Sequence, residues 1–229
     1  MIYVTADLHG QVDIDKITMK KWPIQKELTR DDYLIVCGDF GLLWHKDKTY
    51  QYLLDFYTSR KYTLLWVDGN HCNHDWLINM PISTWHGGKV HMIGDNIIHL
   101  MRGEIFDIDG YKFIAIGGAK SIDKAHRTEF IDWWSQEEMC FSEQQHVLNK
   151  LDEYNWEVDY VLSHAAPRTI LRDIFPNEPQ LTGTSNTEKF LAHIHQYLSF
   201  KQWYFGHYHL DRDLGKYHCL YNRVVSLII

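Results

Sequence analysis

The chain has 229 residues, enough for one large domain with a substantial core, and its 45% apolar and 23% charged residues match a folded, water-soluble protein rather than a disordered one. A formal net charge of −7, with no run of Lys or Arg longer than two, argues against the broad basic face on which nucleic-acid binding depends. The four cysteines (Cys37, Cys72, Cys140, Cys219) form no CxxC pair, no basic leader precedes the first apolar run, and no apolar stretch approaches the ~18 residues of a membrane span, so a reducing, cytoplasmic setting without a membrane anchor is expected.

The elements alternate. Ile2–Ala6 reads as a short buried strand, Tyr33–Cys37 as a second, Leu64–Val67 as a third, and the intervening Tyr50–Tyr57 has helical spacing. Lys89–Ile116 reads as several short strands, with turns at Gly94-Asp95 and Asp109-Gly110. Capping boxes predict helices beginning at Ser142 (with Gln145) and at Ser185 (with Glu188). Tyr160–Ser163 and Trp203–Phe205 are further strands. The tail is expected to form two more, Tyr217–Tyr221 and Val224–Ile229, joined by a turn near Asn222-Arg223. No linker or repeat interrupts the chain, so residues 1–229 are expected to form a single domain. Alternating strands and helices predict an α/β layer architecture, and the added strands suggest two sheets flanked by helices.

Polar clusters stand directly after five of the apolar runs: Asp7-Leu8-His9, Gly38-Asp39, Gly69-Asn70-His71, His164, and Gly206-His207-Tyr208-His209. Sites in α/β sheets form beyond the carboxyl ends of strands, so the five can meet. Asp and His are donors for Zn, Mn or Fe, and an Asn carbonyl suits the harder ions. In an extended segment, residues i and i+2 share a side, so Asp7 with His9, and His207 with His209, are each expected to grip one ion. The glycines before Asp39, Asn70 and His207 are expected to let the backbone turn into the site. Two divalent ions about 3.5–4 Å apart polarise a phosphoryl oxygen and generate hydroxide from water, which is what phosphate-ester hydrolysis near neutral pH requires.

The ordered set D-x-H, G-D, G-N-H, a lone His and G-H-x-H resembles the calcineurin-like metallophosphoesterase superfamily, in particular its small microbial and phage-type members. The resemblance runs from Asp7 to His209. It implies a four-layer α/β/β/α sandwich with two mixed sheets, and hydrolysis of a small phosphorylated substrate, a mono- or diester, by a hydroxide bridging two divalent ions. Manganese is the first choice of ion, with iron, zinc or a mixed pair also accepted. It implies that Asp7, His9 and His209 hold one ion, that Asn70, His164 and His207 hold the other, and that Asp39 bridges them. His71 is implied as the catalytic residue, a general acid or a stabiliser of transition-state charge. Cys72 stands where the protein-phosphatase branch carries an acidic residue, and the arginine after the bridging aspartate is missing, which argues against a phosphoprotein phosphatase. A further block, Gly117-Gly118-Ala119, Ser121, Asp123, Lys124, Arg127 and Trp133-Trp134, resembles a feature of some small members. It makes Lys124 and Arg127 candidate substrate contacts, with Arg168 a third.

Most of the fifteen histidines must be ordinary surface or core residues. His193-Ile194-His195 repeats the H-x-H spacing, but on a helix i and i+2 do not face each other. His74 lies close enough to the G-N-H motif to be considered. Trp44 and Trp66 adjoin motifs as candidate pocket walls. Two other functions fit the same fold: a non-catalytic scaffold, which would normally have lost donors, and a nuclease, which the acidic balance disfavours.

Overall fold

The computed structural model describes residues 1–177 and 185–227. Its strands are β1 (Ile2–Thr5), β2 (Tyr33–Cys37), β3 (Thr63–Val67), β4 (Ile82–Trp85), β5 (Gly88–Ile93), β6 (Ile97–Leu100), β7 (Ile105–Ile108), β8 (Tyr111–Ile116), β9 (Tyr160–Ser163), β10 (Gln202–Phe205), β11 (Arg212–Leu214), β12 (Tyr217–Cys219) and β13 (Val225–Ser226). The helices are α1 (Lys48–Thr58), α2 (His74–Ile78), α3 (Phe141–Glu153), α4 (Arg168–Ile174) and α5 (Asn186–His195). The strands form two mixed sheets, ordered β13-β1-β2-β3-β6-β5-β4 and β11-β12-β10-β9-β8-β7.

The period-2 geometry of strands divides their side chains between layers. On β2, Tyr33, Ile35 and Cys37 face the core between the sheets, while Leu34 and Val36 face the outer core that receives Leu53 and Tyr57 of α1 and Leu77 of α2. On β9, Tyr160 and Leu162 point between the sheets. Val161 points outward to Val147 of α3, Leu171 of α4 and Leu191 of α5. The result is the expected four-layer α/β/β/α sandwich. Truncating any of these buried aliphatic side chains to alanine costs about 2–5 kcal/mol.

Several local expectations change. The first late helix begins at Phe141, with Cys140 as the cap, because Glu143 reaches back to the Cys140 N–H at 2.8 Å. Ser142 lies inside its first turn. At α5 Ser185 is the cap, its hydroxyl accepting from the Glu188 N–H at 3.2 Å, but the Glu188 carboxylate turns away to Tyr208. The two tail strands fall where expected, but among the described residues they do not pair with each other. β12 pairs with β10 and β11 in one sheet, whereas β13 crosses to pair antiparallel with β1 in the other. Ile228 and Ile229 lie outside the described residues. Strands β4 and β11 and helices α2 and α4 carry no strong sequence signal; β4 and β11 are sheet edges whose side chains are largely exposed. Among the described residues no helix is long and apolar enough to cross a membrane.

Candidate metal centre

In the first sheet β1, β2 and β3 run parallel, and in the second β9 and β10 do. Their carboxyl ends deliver the five polar clusters to one place. Asp7 and His9 do not converge through extended i, i+2 geometry. Both are left-handed (φ 53° and 43°), as are Asp39 (46°), His207 (71°) and His209 (50°). The segments after β1, β2 and β10 thus turn through left-handed residues, whereas Asn70 after β3 and His164 after β9 do not. The glycines matter chiefly for close approach. A Cβ on Gly38 would lie 2.0 Å from His164 Nδ1, one on Gly69 2.1 Å from Asp39 Oδ1, and one on Gly206 2.2 Å from Asp7 Oδ2.

The Asp39 carboxylate lies between imidazoles delivered by the two sheets. Asp39 Oδ2 lies 3.2 Å from His9 Nε2 and 3.3 Å from His164 Nε2. Its other oxygen accepts the His71 backbone N–H at 2.8 Å. On the first side, Asp7 Oδ1 lies 4.0 Å from His9 Nε2 and 3.7 Å from His209 Nε2. On the second, Asn70 Oδ1 lies 3.1 Å from His164 Nε2, and the His164 and His207 rings are 5.0 Å apart. His209 thus lies beside Asp7 and His9, and His207 beside His164. Asp7, His9 and His209 offer one donor atom each within 4.8 Å of one another, and so do Asp7, Asp39 and His164. His71 also falls within this reach of His9 and Asp39.

The chemistry of this donor set fits a cation. His164 Nδ1 donates to the Cys37 carbonyl at 3.0 Å, which leaves Nε2 as the lone-pair nitrogen, facing two oxygens. His9 Nδ1 likewise donates to Asp13 Oδ2 at 2.8 Å and turns Nε2 toward Asp39. Lone pairs converging on buried Asp39 and His164 repel unless a proton or a metal ion lies between them. Without metal, protons take that place. Burial disfavours the His164 cation, but the neighbouring Asp39 carboxylate overrides it and pushes His164 up to about 9. Burial pushes Asp7 up to about 7, and Asp39 is held well below the usual carboxylate range by His164 against the effect of burial. Burial, with the His164 charge adding to it, lowers His207 to about 3.

A further layer holds the donors in place. Lys16 Nζ donates to the carbonyls of Ala6, Asp7 and Tyr221, tying the turn after β1 to the C-terminal segment. Tyr221 stacks on His209 at 4.8 Å and donates to Asp13 Oδ1. Ser163 accepts from Trp203 Nε1 at 2.7 Å and donates to the Ala165 carbonyl, bracing the loop that carries His164. Asn70 Nδ2 donates to Ser121 Oγ at 3.1 Å, and Ser121 Oγ donates to Glu137 Oε2 at 2.5 Å. This relay fixes the amide nitrogen on one side and so turns Asn70 Oδ1 toward His164. Asp68, just before this loop, is clamped by Arg102 at 2.6 and 2.9 Å.

The expected substrate contacts divide. The Arg127 guanidinium, paired with Asp123 at 2.7 Å, is close enough to His71 to lower that ring's proton affinity, after burial as the main cause and against the pull of Asp39. Lys124 is exposed and lies over the Trp133 ring at 5.5 Å. Arg168 is exposed at the first turn of α4, where its charge acts on Glu188. Trp44 lines a cavity beside His71, as expected, whereas Trp66 is buried in the outer core and is no pocket wall. His74 is buried at the start of α2 and lines a second cavity, alongside Asp68 and Arg102. His195 is on α5 and pairs with Tyr217 at 2.5 Å, so the second H-x-H plays no part in the centre.

Sequence reasoning missed Asp13, Lys16, Glu137 and Tyr221. Asp13, four residues beyond His9, is the only one whose spacing hinted at a role. A family model for calcineurin-like phosphoesterase matches residues 1–211, a span that takes in all seven donors and His71. No curated protein matches the chain.

Proposed function

Because the chain belongs to the calcineurin-like phosphoesterase family, we propose that it hydrolyses a phosphate mono- or diester with two divalent ions, manganese by preference, held side by side. Asp7, His9 and His209 would hold one ion and Asn70, His164 and His207 the other, with Asp39 shared between them. When bound, such ions supply charge neutralisation on phosphoryl oxygens and a lowered pKa for an attacking water. The observation that carries this reading is the position of Asp39 Oδ2, within 3.3 Å of a ring nitrogen from each group. Mixed oxygen and imidazole donors suit Mn, Fe and Zn alike.

The chain's own residues account for the rest. His71 stands beside the donor cluster, its backbone pinned on Asp39 and its ring 5.6 Å from that of His9. From there it can hydrogen-bond the leaving oxygen or a phosphoryl oxygen as charge develops on it. Arg127, paired with Asp123, brings its guanidinium within electrostatic reach of the His71 ring, where it can meet a phosphoryl oxygen.

The test is to strip the protein with chelator, reload it with Mn, Fe or Zn, and measure bound metal together with hydrolysis of chromogenic mono- and diesters. The expected result is two ions per chain and turnover that depends on them. Absence of turnover with every metal and substrate refutes the hydrolytic reading, and fewer than one ion per chain refutes the metal assignment as well.

A further inference from the structure

A cavity of about 410 Å³ opens directly from the candidate centre, with His9 and His71 forming its inner end. A volume of this size is that of a small-molecule pocket. Its walls are Trp44, Tyr50, Leu42 and Leu53, with Val12 at the rim. Trp44 is anchored edge-on against buried Trp134, with ring centres 5.4 Å apart, and its own ring lies 5.8 Å from that of His71. The wall is therefore held in place before any ligand arrives.

The charges of the lining are equally informative. Among the described residues no Lys or Arg lines the cavity. Its one carboxylate, Asp47, is engaged as the cap of α1, accepting from Thr49 and Tyr50 N–H. A second phosphate or another anionic group would find no Lys or Arg there to neutralise it and would face Asp47. Gln11, His45 and Thr49 add an amide, an imidazole and a hydroxyl.

We propose that this cavity receives the leaving group of the ester, and that the group is an uncharged alcohol carrying an aromatic ring that packs on Trp44. The inference rests on the hydrolytic reading above, in which His71 attends the leaving oxygen; the group attached to that oxygen then has the cavity beside His71 as its nearest enclosed space. A base–aromatic contact favours a ring-bearing substrate by about 10- to 100-fold over one without the ring.

The test compares adenosine 5′-monophosphate with ribose 5-phosphate, which share the same leaving oxygen and differ by the base. In the manganese-loaded protein kcat/KM is expected to favour the nucleotide at least about 10-fold. Trp44→Ala should bring the ratio close to one, and Trp44→Phe, which keeps a ring, should retain part of it. Calorimetric binding of adenosine to the same three proteins provides a readout independent of turnover, and metal content checks that each is folded. Equal constants for the two esters in the wild-type protein, or an unchanged ratio in Trp44→Ala, overturns the inference. If neither these two esters nor the chromogenic mono- and diesters are hydrolysed, Trp44-dependent adenosine binding supports the ring site while the hydrolytic reading falls, and no adenosine binding overturns the ring site too.

Discussion

Replacing Ser121 by alanine tests whether the Asn70 side chain is oriented by the segment beyond β8. The Ser121 hydroxyl accepts from Asn70 Nδ2 at 3.1 Å and donates to Glu137 Oε2 at 2.5 Å, and all three residues are at most 5% exposed. Without it, two buried polar atoms lose their partner. Each such loss costs about 1–3 kcal/mol. Glu137 keeps the Ser121 backbone N–H at 2.9 Å, so a total of about 2–4 kcal/mol is expected. For a chain of this length that lowers Tm by roughly 5–15 °C. The freed amide can also rotate, offering nitrogen rather than oxygen toward His164. Losing a partner of this kind weakens metal binding about 10- to 100-fold. The weakening should fall on one ion alone, because Asp7, His9 and His209 take no support from Ser121. Calorimetric titration of manganese into stripped protein should therefore change from two similar affinities to two separated ones. Ser121→Thr, which keeps the hydroxyl, should restore the weaker step. Equal weakening of both steps, or none, refutes the reasoning.

Three further outcomes are expected. Arg102→Met leaves Asp68 charged and buried without its partner and should cost about 3–5 kcal/mol in urea unfolding, with Asp68→Asn added to it recovering part of the loss. His71→Asn should lower kcat about 10²- to 10⁴-fold with the metal content of the reloaded protein unchanged; a parallel loss of metal would make His71 a ligand. Glu188 is pushed up from 4.5 to about 7, chiefly by burial, so the folded state binds its proton more tightly than the unfolded state does. Stability from this group is then full below about pH 4.5, falls as pH rises toward about 7, and is flat beyond, a loss of up to about 3 kcal/mol. Glu188→Gln should flatten that part of the stability–pH curve, and an unchanged curve would show that Glu188 does not cause it.

What the sequence made legible follows from how strongly each feature is locally determined. Strands β1, β2, β3, β9 and β10 are buried apolar runs stopped by polar residues, and they were placed within a residue or two. Edge strands β4 and β11 exist only because a neighbouring strand supplies hydrogen bonds, so composition alone does not announce them. The Ser142 cap failed because two competing boxes overlap, and Arg102, forty residues away in sequence, selects the one containing Glu143. The two tail strands were legible but their pairing was not, because Val225 and Ser226 find their partner at the opposite end of the chain, in β1. The identities of the donors were legible because they recur in one order at strand ends. Asp13, Glu137 and Tyr221 were not, since each is an ordinary residue made relevant only by what folds against it.

The reason for convergence was the least legible part, and it bears on how the centre works. Five of the seven donors have left-handed backbone conformations, at Asp7, His9, Asp39, His207 and His209. Such a conformation is tolerable for aspartate and unfavourable for histidine, with a cost on the order of 1–3 kcal/mol at each strained position. A chain accepts that only where the surroundings over-determine it. Here the hydrogen bond from His9 N–H to the Asp39 carbonyl at 2.8 Å, the two from His207 N–H to Asp7, and the Lys16 clamp do so. They lock the donors into position before an ion arrives, so little ordering entropy is lost on binding. The extended geometry inferred from the D-x-H spacing would have aimed the same side chains from flexible strand ends. The left-handed turns aim them from backbone already tied to its neighbours across both sheets, which is how two groups of donors can meet on a single carboxylate oxygen.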